Sequence, residues 1–178
     1  CRLRLQPGQA VKLNYITGIY DSKEKIMLMA EKYHDCSSID RAFELAWTRS
    51  QVEMRYLGLK KEEIEVFRNM MSQILYLSPL RRKQESSIKG NRKGQPGLWA
   101  YGISGDFPIV AVFISRAEEL DLVKELIKAH EYWRLKGLFV DVVIINEEES
   151  SYLRPLYNML QDIISVSHAR DMRDKAGG

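Results

Sequence analysis

Two short, nearly continuous apolar runs, Pro108–Ile114 and Leu138–Ile145, flank a stretch in which apolar residues recur at helical spacing. Runs of this length, rich in Val and Ile, predict strands buried on both faces. From Arg116 to Lys136, the residues Leu120, Val123, Leu126, Ile127, His130 and Trp133 share one stripe, and Gly137 stands where a C-cap is wanted. A strand, a helix of about five turns and a second strand predict parallel pairing through a right-handed crossover. A last helix follows, capped by Ser150 or Ser151, with Pro155 in its first turn and Leu156, Met159, Leu160, Ile163 and Ile164 on its buried face. The segment 98–178 therefore reads as a β-α-β-α unit with a small parallel sheet, and the fold class as α/β.

Upstream, Leu3, Leu5, Val11, Leu13, Tyr15, Ile16 and Ile19 alternate around Pro7-Gly8, which predicts an N-terminal β-hairpin over 1–20. Residues 21–78 read as helical. Asp21 or Ser22 caps a helix running to Tyr33, Ser37 or Ser38 caps a second that continues through Trp47 to Tyr56, and Gly58 ends it. A third runs from about Lys60 to Tyr76, and the pair joined at Gly58-Leu59 forms a helical hairpin. Met54, Met70 and Met71 then belong to ordinary core packing. Residues 79–97, with Gly90, Gly94, Pro96 and Gly97, read as a flexible basic loop.

Composition changes this picture little. A formal charge of +3 over 178 residues does not argue for nucleic acid. The cluster Arg81, Arg82, Lys83, Lys89, Arg92 and Lys93 reads as a solvated loop or a contact for phosphate or glycan, since no aromatics interleave it for base stacking. No apolar run approaches the roughly 20 residues a bilayer requires, so direct membrane insertion is not expected. Cys1 and Cys36 have no neighbours at metal or redox spacing, which predicts free thiols in a reducing, cytoplasmic setting.

Candidate chemistry is sparse. Glycoside hydrolysis needs two carboxyl groups about 5 to 10 Å apart. Asp106 and Glu147 fall at opposite ends of parallel strands, about 23 Å from each other, and are no acid/base pair. Asp141, inside the second strand, marks an open face or a hydrogen bond to a neighbouring element. Gly102-Ile-Ser-Gly105-Asp106 offers backbone and the Ser104 hydroxyl for a phosphate cradle, yet it lacks the Lys-Ser/Thr of a P-loop and precedes a strand. The competing reading is a turn that launches the strand, with Asp106 accepting backbone hydrogen bonds. His130 lies on the inward stripe and reads as a satisfied interior histidine. His34 and His168 lie far from it in sequence, so no metal site is expected. The run Glu147–Glu149 favours the helix N-terminus that follows.

Several motifs carry a family resemblance: Gly102-Ile-Ser-Gly-Asp-Phe-Pro-Ile109, Ala129-His-Glu-Tyr-Trp-Arg-Leu-Lys-Gly137, Val143-Ile-Ile-Asn-Glu147 and Ser150-Ser-Tyr152, with Ala46–Gln51 and Gln95–Ala100 upstream. Together they resemble the region between the N-terminal β-sandwich and the catalytic barrel of the glycoside phosphorylase family that includes cellobiose phosphorylase. Within it they are most similar to the phosphorylase-like part of cyclic β-1,2-glucan synthases and 1,2-β-oligoglucan phosphorylases. The resemblance implies inverting chemistry, in which an aspartic acid of an (α/α)6 barrel protonates the leaving oxygen while inorganic phosphate, the co-substrate of such an enzyme, attacks. It places that barrel beyond Gly178 and the hairpin at the end of the sandwich.

The chain is thus expected to be a fragment without catalytic residues, metal or cofactor of its own. Its expected partners are the sandwich and barrel of a longer enzyme, β-1,2-glucan, and in a homodimer a second copy. The parent enzyme is expected to be associated with the inner membrane. The expected function is a non-catalytic linker that orients the barrel. The alternative is an accessory module in which Arg81, Arg82, Lys83, Ser104 and Asp106 contact glycan or phosphate.

Overall fold

The computed structural model describes residues 3–76, 85–148 and 154–178. They form seven α-helices and one two-stranded parallel sheet. The chain divides into two units, Cys1–Val52 and Glu53–Gly178.

In the first unit, residues 6–9 turn as predicted, with the Gln9 N–H donating to the Gln6 carbonyl at 3.0 Å. The arms form no ladder, so the predicted β-hairpin is a turn without strands. Two strands are marginally stable without a third or a packed face. Here Leu3, Leu5, Val11, Leu13, Tyr15 and Ile19 are all exposed. Helix α1, Lys23–Lys32, starts at Ser22, whose hydroxyl accepts from the Lys25 N–H at 3.2 Å. Helix α2, Cys36–Tyr56, starts earlier than predicted. Its cap is Asp35, which accepts from the Ser38 N–H at 3.3 Å, rather than Ser37 or Ser38.

The second unit holds the core. Gly58 ends α2 in a left-handed conformation, with the Leu59 N–H returning to the Met54 carbonyl and the Gly58 N–H to Arg55. This is a Schellman ending. Helix α3, Lys61–Leu75, follows at once, its first turn closed by Glu63, whose carboxylate accepts from the Lys60 N–H at 2.6 Å. Residues 77–84 lie outside the described residues. The remainder of the predicted loop contains two short helices, α4 (Glu85–Gly90) and α5 (Pro96–Trp99).

Strand β1, Ile109–Ile114, pairs in parallel with β2, Asp141–Asn146, in the register Ile109 to Asp141 through Ile114 to Asn146. Between them run a 3-10 turn, Ala117–Glu119, and helix α6, Leu120–Leu135. The Glu119 carboxylate accepts from the Ser115 and Arg116 N–H groups at 2.7 and 3.2 Å, fixing the entry into α6. Helix α7, Pro155–Val166, completes the β-α-β-α order. Its predicted caps, Ser150 and Ser151, lie outside the described residues. The Glu148 carboxylate accepts from the Leu156 N–H at 3.2 Å, so the acidic run does serve the helix start.

Helix α6 is the hub. Its inward stripe packs with Phe67 of α3, Val112 and Ile114 of β1, Val140, and Leu156 and Leu160 of α7 in one cluster. Trp133 is fully buried, and its indole N–H donates to the Phe67 carbonyl at 2.9 Å. Lys128 pairs with Glu63 at 3.1 Å and Lys136 with Glu53 at 2.5 Å, both linking α6 to upstream helices. The sheet departs from the sequence reading in one respect. Burial alternates along β1, with Val112 and Ile114 inside and Ile109 and Phe113 exposed, so one face of this strand is open. Among the described residues only the helix-covered face has partners to bury it.

Candidate functional site

Strand β2 and helix α7 flank a groove of about 620 Å³ whose lining includes Ser104, His130, Asp141, Tyr157, Gln161 and Gly178. At its head the last residues of the chain are clamped from two elements. The Asp141 carboxylate is buried, and its Oδ1 accepts from the Gly177 N–H at 2.6 Å. Its Oδ2 is buried with no hydrogen-bond partner among the described residues. Leaving such an acceptor unsatisfied costs about 1–3 kcal/mol, more when it is charged.

His130 reaches the same tail from α6. Its Nε2 lies 3.0 Å from the Gly177 carbonyl and 3.1 Å from the Val140 carbonyl. Two acceptor oxygens require that Nε2 carry the hydrogen. Burial pushes the His130 pKa below the usual imidazole value, against the opposing pull of the Gly177 carbonyl. The Val142 N–H adds a third hold by donating to the Gly178 oxygen at 2.8 Å. His130 is therefore a satisfied interior histidine, and Asp141 makes a bond to a neighbouring element, as the sequence indicates.

The residues proposed for ligand contact behave differently from one another. Ser104 lies on the groove, whereas Asp106 does not line it. Both are engaged by α5: the Gln95 side-chain amide donates to the Ser104 carbonyl at 2.9 Å and to Asp106 Oδ1 at 3.0 Å, and the Trp99 indole donates to the Ser104 carbonyl at 3.3 Å. Asp106 was expected to accept from backbone; the donor found is the Gln95 side chain, because α5 folds back onto the turn. A Cβ at Gly105 would stand 2.9 Å from Gln95 Cγ and 3.0 Å from Leu98 Cδ1, a close approach that explains the glycine. The remaining candidates, Arg81, Arg82 and Lys83, lie outside the described residues.

Asp106 precedes β1, while Glu147 follows β2 and donates its N–H to the Ile114 carbonyl at 2.7 Å. Six strand residues at about 3.3 Å each separate them by roughly 20 Å. They stand at opposite ends of the sheet, as predicted. Arg173 and Lys175 also line the groove, and Arg173 bonds Gln161 and pairs with Asp174 at 3.4 Å. Nothing in the sequence around Arg173 and Lys175 marks them for this position. No group of three or more His, Cys, Asp or Glu suited to a metal occurs among the described residues. Nor is any helix among them long and apolar enough to cross a membrane.

Fold and site define a mixed α/β chain whose described polar clusters hold one element against another. No family model matches the chain. It is similar to the cyclic beta-(1,2)-glucan synthase NdvB of Rhizobium meliloti (strain 1021), with 29% identity over 172 residues, covering 97% of this chain and 6% of that protein. This supports a distant relation to that glucan synthase. The chain spans about 6% of the length of the curated relative it matches.

Proposed function

We propose that the chain is a non-catalytic α/β scaffold within a longer enzyme that makes or phosphorolyses β-1,2-glucans, and that it orients an (α/α)6 catalytic barrel carried elsewhere in that polypeptide. The observation that carries this reading is the similarity along 97% of the chain to a small part of a glucan synthase. The separation of Asp106 from Glu147 supports it, being far beyond the carboxyl spacing of glycosidases. So does the use of Ser104 and Asp106 in holding the turn before β1. Inorganic phosphate would enter as co-substrate of the longer enzyme if that enzyme is a phosphorylase. Its cytoplasmic placement and inner-membrane association belong to the same reading.

The test is a calorimetric titration of the folded chain with linear β-1,2-gluco-oligosaccharides, with and without phosphate, beside an assay for released glucose 1-phosphate. A scaffold gives no binding and no product. Saturable binding abolished by neutralising Arg81, Arg82 and Lys83 would replace it with an accessory module that contacts glycan, and product release would overturn both.

A further inference from the structure

The alternation of hydrogen bonds along β2 identifies a free strand edge. The Asp141 N–H donates to the Pro108 carbonyl and the Glu147 N–H to the Ile114 carbonyl, so the odd-numbered residues of β2 face β1. The backbone groups of Val142, Ile144 and Asn146 face the other way, into the groove. Among the described residues β1 is the only strand paired with β2. One position on the free edge is nonetheless filled: the Val142 N–H donates to the Gly178 oxygen.

The direction of that tail is informative. Gly177 lies against Phe107 and Phe139, at the amino ends of the two strands, and its N–H is held by Asp141. Gly178 reaches the next residue, Val142. The tail therefore enters alongside β2 and runs the same way.

Topology points to the same edge. Helix α7 packs on α6, and its Leu156 and Leu160 share one buried cluster with the α6 stripe and with Val112 and Ile114 of β1, so both helices lie on one face of the sheet. A right-handed crossover from β1 to β2 through α6, followed by another through α7 on that face, steps to the far side of β2. Gly178 stands there.

We propose that the free edge of β2 receives a third strand, parallel to it and contributed by polypeptide joined to Gly178, giving the sheet order β1-β2-β3. The proposal rests on the reading above that the chain belongs to a longer enzyme. The third strand pairs with the Val142 carbonyl and with the N–H and carbonyl of Ile144. Its side chains alternate, with an apolar set facing Leu160 and Ile164 of α7, both of which line the groove. The groove is thus a seat for backbone and not for a small ligand.

The experiment compares hydrogen exchange in the 178-residue chain and in the polypeptide as its gene encodes it, both labelled with 15N-isoleucine. Ile145, paired with β1, is the internal control for an intact ladder. The expected result is an Ile144 amide that exchanges at least about tenfold more slowly in the longer polypeptide, with Ile145 protected in both. Equal, fast exchange of Ile144 in both, with Ile145 protected, sinks the third strand and leaves the scaffold reading standing. A reading frame that stops at Gly178 sinks the third strand and leaves the scaffold reading to the polypeptide that precedes this chain. Protection of Ile144 that appears in the shorter chain only as its concentration rises assigns the edge to a second copy and overturns the proposal.

Discussion

The Nε2 of His130 lies 3.0 Å from the carbonyl oxygen of Gly177, tying the middle of the hub helix to the end of the chain across 47 residues. The contact is buried, and the same nitrogen also serves Val140. Closing so long a loop costs entropy that a single bond does not repay. Asp141 and Val142 add two further holds at the same point, and together the three fix the tail on β2.

This geometry sets a pH dependence. The folded pKa of His130 lies below the ordinary value of 6.5, and burial is the main cause. The unfolded chain therefore binds the proton more readily. Stability is full above the unfolded value and declines as pH falls from there toward the lower folded value. Thermal unfolding between pH 8 and 5 should show this decline, and His130→Gln, which keeps a donor for the two carbonyls, should flatten it. An unchanged profile in that variant would show that another group titrates.

Asp141 is expected to hold the tail through Oδ1 alone. Replacing it with Leu leaves the Gly177 N–H without its acceptor and should cost about 1–3 kcal/mol, whereas Asn keeps an acceptor and should cost less. Limited proteolysis of the segment after Met172 should accelerate in the Leu variant. A tail that is cleaved no faster would mean that His130 and Val142 hold it without Asp141.

The β-α-β-α order was legible because its signals are local. The apolar runs, the helical stripe from Leu120 to Trp133 and the Schellman glycine at Gly137 all lie within the segments they define. The tail clamp was not legible, because Asp141 and Gly177 are separated by 36 residues and nothing near either marks the other. Asp141 within an apolar strand was the one hint. One cap was misplaced, where several suitable residues crowd together: Asp35 prevails over Ser37 and Ser38. The N-terminal alternation satisfies the strand pattern over 3–20, yet pattern alone supplies no surface on which to bury it.

Glu63 should be the acid-sensitive point of α3. Its pKa is lowered chiefly by the Lys60 N–H and further by the Lys128 ammonium, against the opposing effect of burial. A depressed folded pKa means that this stabilisation is present above the ordinary value of 4.5 and disappears as pH falls through the lower folded value. Glu63→Gln should cost about 0.5–2 kcal/mol at neutral pH, the scale of a lost helix cap. The gap in denaturant midpoint between wild type and variant should narrow as pH falls below the ordinary carboxylate value. A constant gap between them would place the effect of Glu63 in packing.

Trp133 should be the most sensitive core position. It is fully buried in the cluster that joins Phe67 of α3 to Val112 and Ile114 of β1, and its indole N–H donates to the Phe67 carbonyl at 2.9 Å. Trp133→Ala removes a fully buried ring and should cost about 3–5 kcal/mol. Trp133→Phe retains most of the apolar contact but withdraws the donor, and should cost less. The two variants separate volume from hydrogen bonding by urea unfolding. If Phe were as damaging as Ala, the bond to α3 would outweigh the cavity. A near-neutral Ala variant would mean that α3 and α6 are held together chiefly by the Lys128–Glu63 pair.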